Sequence, residues 1–203
     1  MEYFTHLRKD KYLKKALLSP LPPLKVHSGA PIRLMQSIMS QQLSVKVAHV
    51  LHERFFALCG RKNPPLRQIC DLDPLTLRAI GLSHAKTSYV QNVARFCLEN
   101  KITDRKLRAM PSEDIIELLT EIKGVGRWTV EMLLMFTLGR EDIFAADDLG
   151  LQLAMVSLYG LTRPEKPNDK AFKSRLVEIS QKWSPYRSYG CMHLWAFKDN
   201  SPG

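Results

Sequence analysis

The stretch from Leu118 to Phe136, LLTEIKGVGRWTVEMLLMF, constrains this chain more tightly than any other part of it. Two apolar runs of helical spacing flank Gly124 and Gly126, so two helices must reverse direction within a few residues, and glycine supplies the backbone freedom for such a turn. The first N–H groups of the second helix have no partner within it, and its dipole is positive at that end. A hairpin built on Lys123, Gly124, Val125, Gly126 and Arg127 is therefore suited to hold a phosphate. A helix-turn-helix inside a core would use glycine in the same way, so the triplet by itself leaves both readings open.

The rest of the chain also reads as helix. Ile32, Met35, Ile38 and Met39 keep helical spacing, and Val47, Val50, Leu51 and Phe55 resume it after a break at Ser40–Ser44. Asp73-Pro74 reads as an N-cap with proline in the first turn, and Gly81 as a C-terminal stop. Ser83 caps a helix whose stripe runs through Val90, Val93, Ala94 and Cys97, and Ser112 with Glu113 and Asp114 opens the helix that enters the hairpin. Nearer the start, a short helix is expected through Tyr12 and Leu17, followed by an extended connector at Pro20, Pro22 and Pro23. Alternating strand patterns, hairpin dipeptides and repeats are missing, which points to an all-α fold.

With 203 residues, 45% of them hydrophobic, the chain has enough apolar material for one or two small subdomains with a real core. Its net charge of +10 favours a polyanionic partner, because each lysine or arginine that meets a phosphate releases a condensed counterion. No apolar run approaches the roughly 18 to 20 residues of a membrane span, and Met1-Glu2-Tyr3-Phe4 does not open a signal peptide, so an intracellular protein away from membranes is expected. Cys59, Cys70, Cys97 and Cys191 are scattered without ligand spacing and read as reduced thiols. His49 and His52 lie three apart on a helix, but no further ligand is near in sequence, so no metal site is expected.

Four segments, in order, carry a wider pattern: Ile38-Met39-Ser40-Gln41-Gln42-Leu43-Ser44; Gly81-Leu82-Ser83 with Lys86 and Tyr89; the hairpin through Asp147-Asp148; and Trp183-Ser184-Pro185-Tyr186-Arg187-Ser188. Together they span most of the chain from about residue 30 onward, and they resemble the helix-hairpin-helix DNA glycosylase superfamily, most of all its 3-methyladenine DNA glycosylases. The resemblance implies two helical subdomains, residues 1–30 with 138–203 and residues 31–137, with the active cleft between them. The partner it implies is double-stranded DNA containing alkylated bases, bound by a monomer in the nucleoid or the nucleus. The four-cysteine iron–sulfur loop of some relatives has no counterpart, since only Cys191 lies near the end, and no cofactor is required. The family fold permits a monovalent cation at the hairpin through backbone carbonyls.

Carried over residue by residue, the resemblance makes Asp148 the catalytic acid and leaves Asp147 to cap the following helix, Leu149 to Leu158. Helix capping alone would also explain both aspartates. Ala145 stands where the motif usually has proline, which puts the rigidity of the loop in question. One carboxylate is chemically sufficient: a purine alkylated at ring position 3 or 7 is already cationic and leaves without a protein acid, so the remaining need is anionic support for the oxocarbenium-like sugar. Trp128 occupies the position of the Schiff-base lysine of bifunctional relatives. An indole forms no imine, so base removal without strand cleavage is implied. Trp128 and Tyr186 are the expected walls of the base pocket, with Met132 one turn on from Trp128, and Gln42 is the expected filler of the hole left by the extruded base. Lys123, Arg127 and Arg187 are expected phosphate contacts. The reading is a monofunctional glycosylase for alkylated purines; the alternative is a non-catalytic binder of damaged or abasic DNA.

Overall fold

The computed structural model describes residues 1–165 and 169–200, and every regular element among them is helical. In chain order the α-helices are α1 (Glu2–Leu7), α2 (Ala30–Ser40), α3 (Val45–Cys59), α4 (Leu66–Asp71), α5 (Pro74–Ala79) and α6 (His84–Glu99). They continue with α7 (Asp104–Ala109), α8 (Ser112–Thr120), α9 (Arg127–Phe136), α10 (Leu149–Tyr159), α11 (Lys170–Ser180) and α12 (Arg187–Asn200). The chain divides into two compact units, residues 26–138 and residues 1–25 with 139–203.

In the unit 26–138, α2 is the central helix. Ile32, Leu34, Met35, Ile38 and Met39 bury almost completely, and the helix packs on α3, α6 and α9. Its first amides, those of Gly29 and Ala30, each donate to the Asp104 carboxylate at 2.8 Å, an anion placed at the positive end of the helix. Asp73 and Ser83 cap α5 and α6 as the sequence predicts, accepting from the amides of Leu75 and Lys86. Along α3 the expectation fails in part. Ala48, Leu51, Phe55 and Cys59 face inward, whereas Val47 and Val50 are exposed. Ser44 caps this helix from its side chain and so sets its phase; the stripe it defines passes through Ala48, a residue too small to announce itself.

In the unit formed by residues 1–25 and 139–203, α10 packs on α12. The short helix expected through Tyr12 and Leu17 lies earlier, as α1, and only Leu13–Lys15 forms a 3₁₀ turn. Asp10 is the physical reason: its carboxylate accepts from the amides of Tyr12 and Leu13 at 2.9 and 3.1 Å and closes a turn between the two pieces. The other carboxylate oxygen accepts from Tyr159 Oη at 2.6 Å, Trp183 Nε1 at 2.9 Å and Lys182 Nζ at 2.9 Å. Burial alone would raise the pKa of Asp10, but the bonds from Tyr159, Trp183, Lys182 and the Tyr12 amide outweigh it and hold the value at about 2.

Because the folded value lies below the ordinary 3.8, the ionised Asp10 stabilises the fold above that pH, and the contribution is lost as pH falls toward about 2. Asp10→Asn, which turns a donor toward surrounding donors, should cost about 3 kcal/mol near neutrality. Urea unfolding at pH 7 and pH 2.5 checks this: the gap between variant and wild type should narrow at the lower pH.

Candidate functional site

The hairpin runs from the end of α8 to the start of α9. Gly124 has φ +102°, and a Cβ built on it would meet the Tyr89 ring of α6 at 2.2 Å, so the turn needs glycine there for conformation and for space. Gly126 differs: its φ is −94° and its surroundings are open, so folding itself does not require glycine at that position. Val125 and Ile122 are buried and anchor the turn, with the Val125 amide donating to the Ile122 carbonyl at 2.9 Å. Lys123 is exposed, and its carbonyl accepts from Asn92 Nδ2 of α6 at 3.2 Å.

Arg127 departs from the expectation of an open phosphate contact. Its guanidinium grips Glu113 in a fork at 2.7 and 3.0 Å and reaches Glu131 at 2.9 Å, tying the start of α8 to α9. A cation in the first turn of a helix opposes the dipole, and the two carboxylates offset that. Gly126, the N-cap, and the amides that follow it remain suited to an anion.

Gln42 sits in the turn between α2 and α3 with φ +59°, a left-handed conformation uncommon for a residue with a side chain. Together with Ser37, Ser40, Gln41 and Trp128 it lines a cavity of about 400 Å³, within the size range of small-molecule sites. Trp128, the second residue of α9, is 37% exposed. Met132, one turn further, lines a neighbouring cavity of about 260 Å³ that shares Ser37 and Ser40 and adds His52 and Phe136. The structure thus brings together the expected filler and one expected wall of a base pocket. His52 hydrogen-bonds Ser40 Oγ and the Gln36 carbonyl, both at 3.1 Å, rather than pairing with His49.

In the other unit, the roles of the two aspartates separate differently from the expectation. Asp148, not Asp147, caps α10, accepting from the Leu151 amide at 2.8 Å, while Asp147 forms an ion pair with Lys173 at 2.5 Å. The chain enters α10 with Asp148 as its last extended residue, and only that side chain can turn back to the third amide of the helix. Capping places the Asp148 carboxylate at the N-terminal end of α10. The same oxygen, Oδ1, accepts from Trp195 Nε1 of α12 at 2.9 Å, a contact the sequence did not point to. The one available signal was general: a half-buried indole N–H needs an acceptor.

The loop before Asp148 is fixed without proline. Ala145 is fully buried, its carbonyl accepts from the Asp148 amide at 3.0 Å, and Gln152 Nε2 donates to the Ala146 carbonyl at 2.8 Å. Upstream, Ser188 Oγ donates to the Arg140 carbonyl at 2.7 Å and accepts from the Ile143 amide at 3.0 Å. Arg187, expected on phosphate, instead clasps Asp142 at 2.6 and 3.1 Å. Burial would raise the Asp142 pKa, but the guanidinium wins and holds it below the usual range. Arg187 and Ser188 therefore latch the loop leading to Asp148. Tyr186 packs edge-on against His6 and Tyr3, at centroid distances of 5.5 and 6.4 Å.

A hairpin with a forced glycine, a capping aspartate a short way downstream and an exposed indole at the hairpin's exit stand together in an all-helical chain. Residues 35–181 match the model of the HhH-GPD superfamily base excision DNA repair proteins, and the chain belongs to that family. It is 34% identical over 183 residues to the Bacillus subtilis protein YfjP, covering 83% of this chain and 62% of that one, so it spans under two thirds of that relative. It is also 34% identical over 164 residues to DNA-3-methyladenine glycosylase 1 of Schizosaccharomyces pombe, covering 80% of this chain and 69% of that one. The solved structure of the S. pombe 3-methyladenine DNA glycosylase Mag1 in complex with abasic DNA superposes with a TM-score of 0.80 at 29% identity, covering 96% of this chain and 95% of the other.

Proposed function

We propose that this chain is a monofunctional DNA glycosylase that hydrolyses the bond between deoxyribose and an alkylated purine such as 3-methyladenine, leaving an abasic site. The observation that carries the reading is the Asp148 carboxylate, fixed at a helix N-terminus by the Leu151 amide and oriented by Trp195. A carboxylate held in this place can support positive charge developing on the sugar. The leaving group, cationic before cleavage, needs no acid. Trp128, exposed beside Gln42, offers an electron-rich face to such a base and has no amine with which to form an imine, which supports hydrolysis without strand cleavage. The reading asks for no cofactor, a single copy of the chain and duplex DNA as substrate.

The test is base release from methylated duplex DNA, with products identified chromatographically. Wild-type protein should release 3-methyladenine and leave uracil, a neutral leaving group, essentially untouched. Trp128→Ala should slow release of the cationic base on the order of tenfold, the loss of a desolvated cation–π contact. Tight binding with no release would make the protein a lesion binder, and uracil excision through a borohydride-trapped intermediate would defeat the monofunctional alkyl-purine reading.

A further inference from the structure

Lys86 is the third residue of α6, in a first turn where the helix dipole disfavours a cation. Its ammonium does not turn outward. Nζ donates to the Met39 carbonyl at 2.9 Å and the Gln41 carbonyl at 2.7 Å, at the C-terminal end of α2, where a cation is favoured. These two carbonyls flank Ser40 and lead directly into Gln42, whose left-handed φ of +59° must be held from outside because its own side chain disfavours it. Further along the same face of α6, Tyr89 packs under Gly124 and Asn92 bonds the Lys123 carbonyl at 3.2 Å. Spacing of three residues keeps Lys86, Tyr89 and Asn92 adjacent on the helix surface. One helix face therefore braces both the phosphate-type hairpin and the turn that carries Gln42.

We propose that Lys86 is a positioning residue for base extrusion: by tying the Met39 and Gln41 carbonyls together it sets the turn so that Gln42 stands opposite Trp128 across their shared cavity. The inference rests on the glycosylase reading above. Extrusion leaves a hole in the base stack that must be filled at once, and a filler on a loose turn would lose part of its binding energy to ordering that turn. Lys86 touches neither base nor sugar. It acts through backbone carbonyls, so any side chain that reaches both with donors should replace it. Arginine has that reach; methionine matches the length of the stem and donates nothing.

The experiment compares full-length wild type, Lys86→Met and Lys86→Arg by three readouts: fluorescence of 2-aminopurine beside the lesion, which reports unstacking; single-turnover base release; and affinity for undamaged duplex. Lys86→Met should reduce release and the unstacking signal on the order of tenfold, while affinity for undamaged duplex stays within about twofold because the hairpin is intact. Lys86→Arg should recover most of both. Wild-type unstacking in Lys86→Met, a matching loss of undamaged-duplex affinity, or no recovery in Lys86→Arg would overturn the proposal. Hydrogen exchange of the amides at 41–44 in the protein without DNA separates this from the function itself. Should wild type release no base, faster exchange there in Lys86→Met, reversed in Lys86→Arg, would still establish the clamp, and unchanged exchange would refute it.

Discussion

Asp148→Asn will lose base release on the order of a thousandfold while binding lesion-containing duplex within about twofold of wild type. The substitution is clean because of what Oδ1 does: asparagine keeps an oxygen that accepts from the Leu151 amide and Trp195 Nε1, and it caps helices as well as aspartate does. Charge is removed and shape is kept. Asp148→Ala mixes two effects, since losing the cap costs about 1 kcal/mol of stability as well. Asp147→Asn should remain active within about twofold, because it gives up only a part-exposed ion pair with Lys173. Single-turnover release and duplex binding, measured on all three variants, check the assignment. An inactive Asp147→Asn beside an active Asp148→Asn would reverse it.

The second large effect concerns the hairpin, where the two glycines should fail differently. Gly124→Ala drives a methyl group into Tyr89 Cγ, at φ +102°, so the turn and α6 must part. A loss of about 2 to 3 kcal/mol of stability, visible as a lower urea midpoint, is expected with weakened binding to every duplex. Gly126→Ala meets nothing within 4 Å and should fold with near-wild-type stability, yet bind all duplexes more weakly because the methyl stands where a phosphate would approach. Selectivity among damaged bases should be unchanged in both, since backbone contacts carry no base information. A change in lesion preference at Gly126→Ala would place the hairpin in the base pocket.

What the sequence made legible was local grammar. Glycine between two amphipathic runs, Asp73 before Pro74, and Ser83 at a helix start each act through a few neighbouring residues, and each was found where the pattern put it. Partnerships across sequence were not legible. Arg127 is committed to a glutamate 14 residues away and Arg187 to an aspartate 45 away, and in a sequence both look like open surface cations. The choice between two adjacent aspartates lay beyond pattern as well, because cap preference applies equally to both and the path of the incoming chain decides. Trp195 and Lys86 act on Asp148 and on the Gln42 turn through tertiary contacts that no local spacing encodes.

The coincidence of cap and carboxylate at Asp148 bears on how descendants of this chain would diverge. Capping alone tolerates a small alphabet of aspartate, asparagine, serine and threonine, whereas supporting a cationic sugar admits only the acid. A lineage released from catalysis but still needing the fold would drift within that alphabet and keep its helix start. An aspartate there satisfies both demands, while asparagine or serine marks a protein that has kept the architecture and given up turnover.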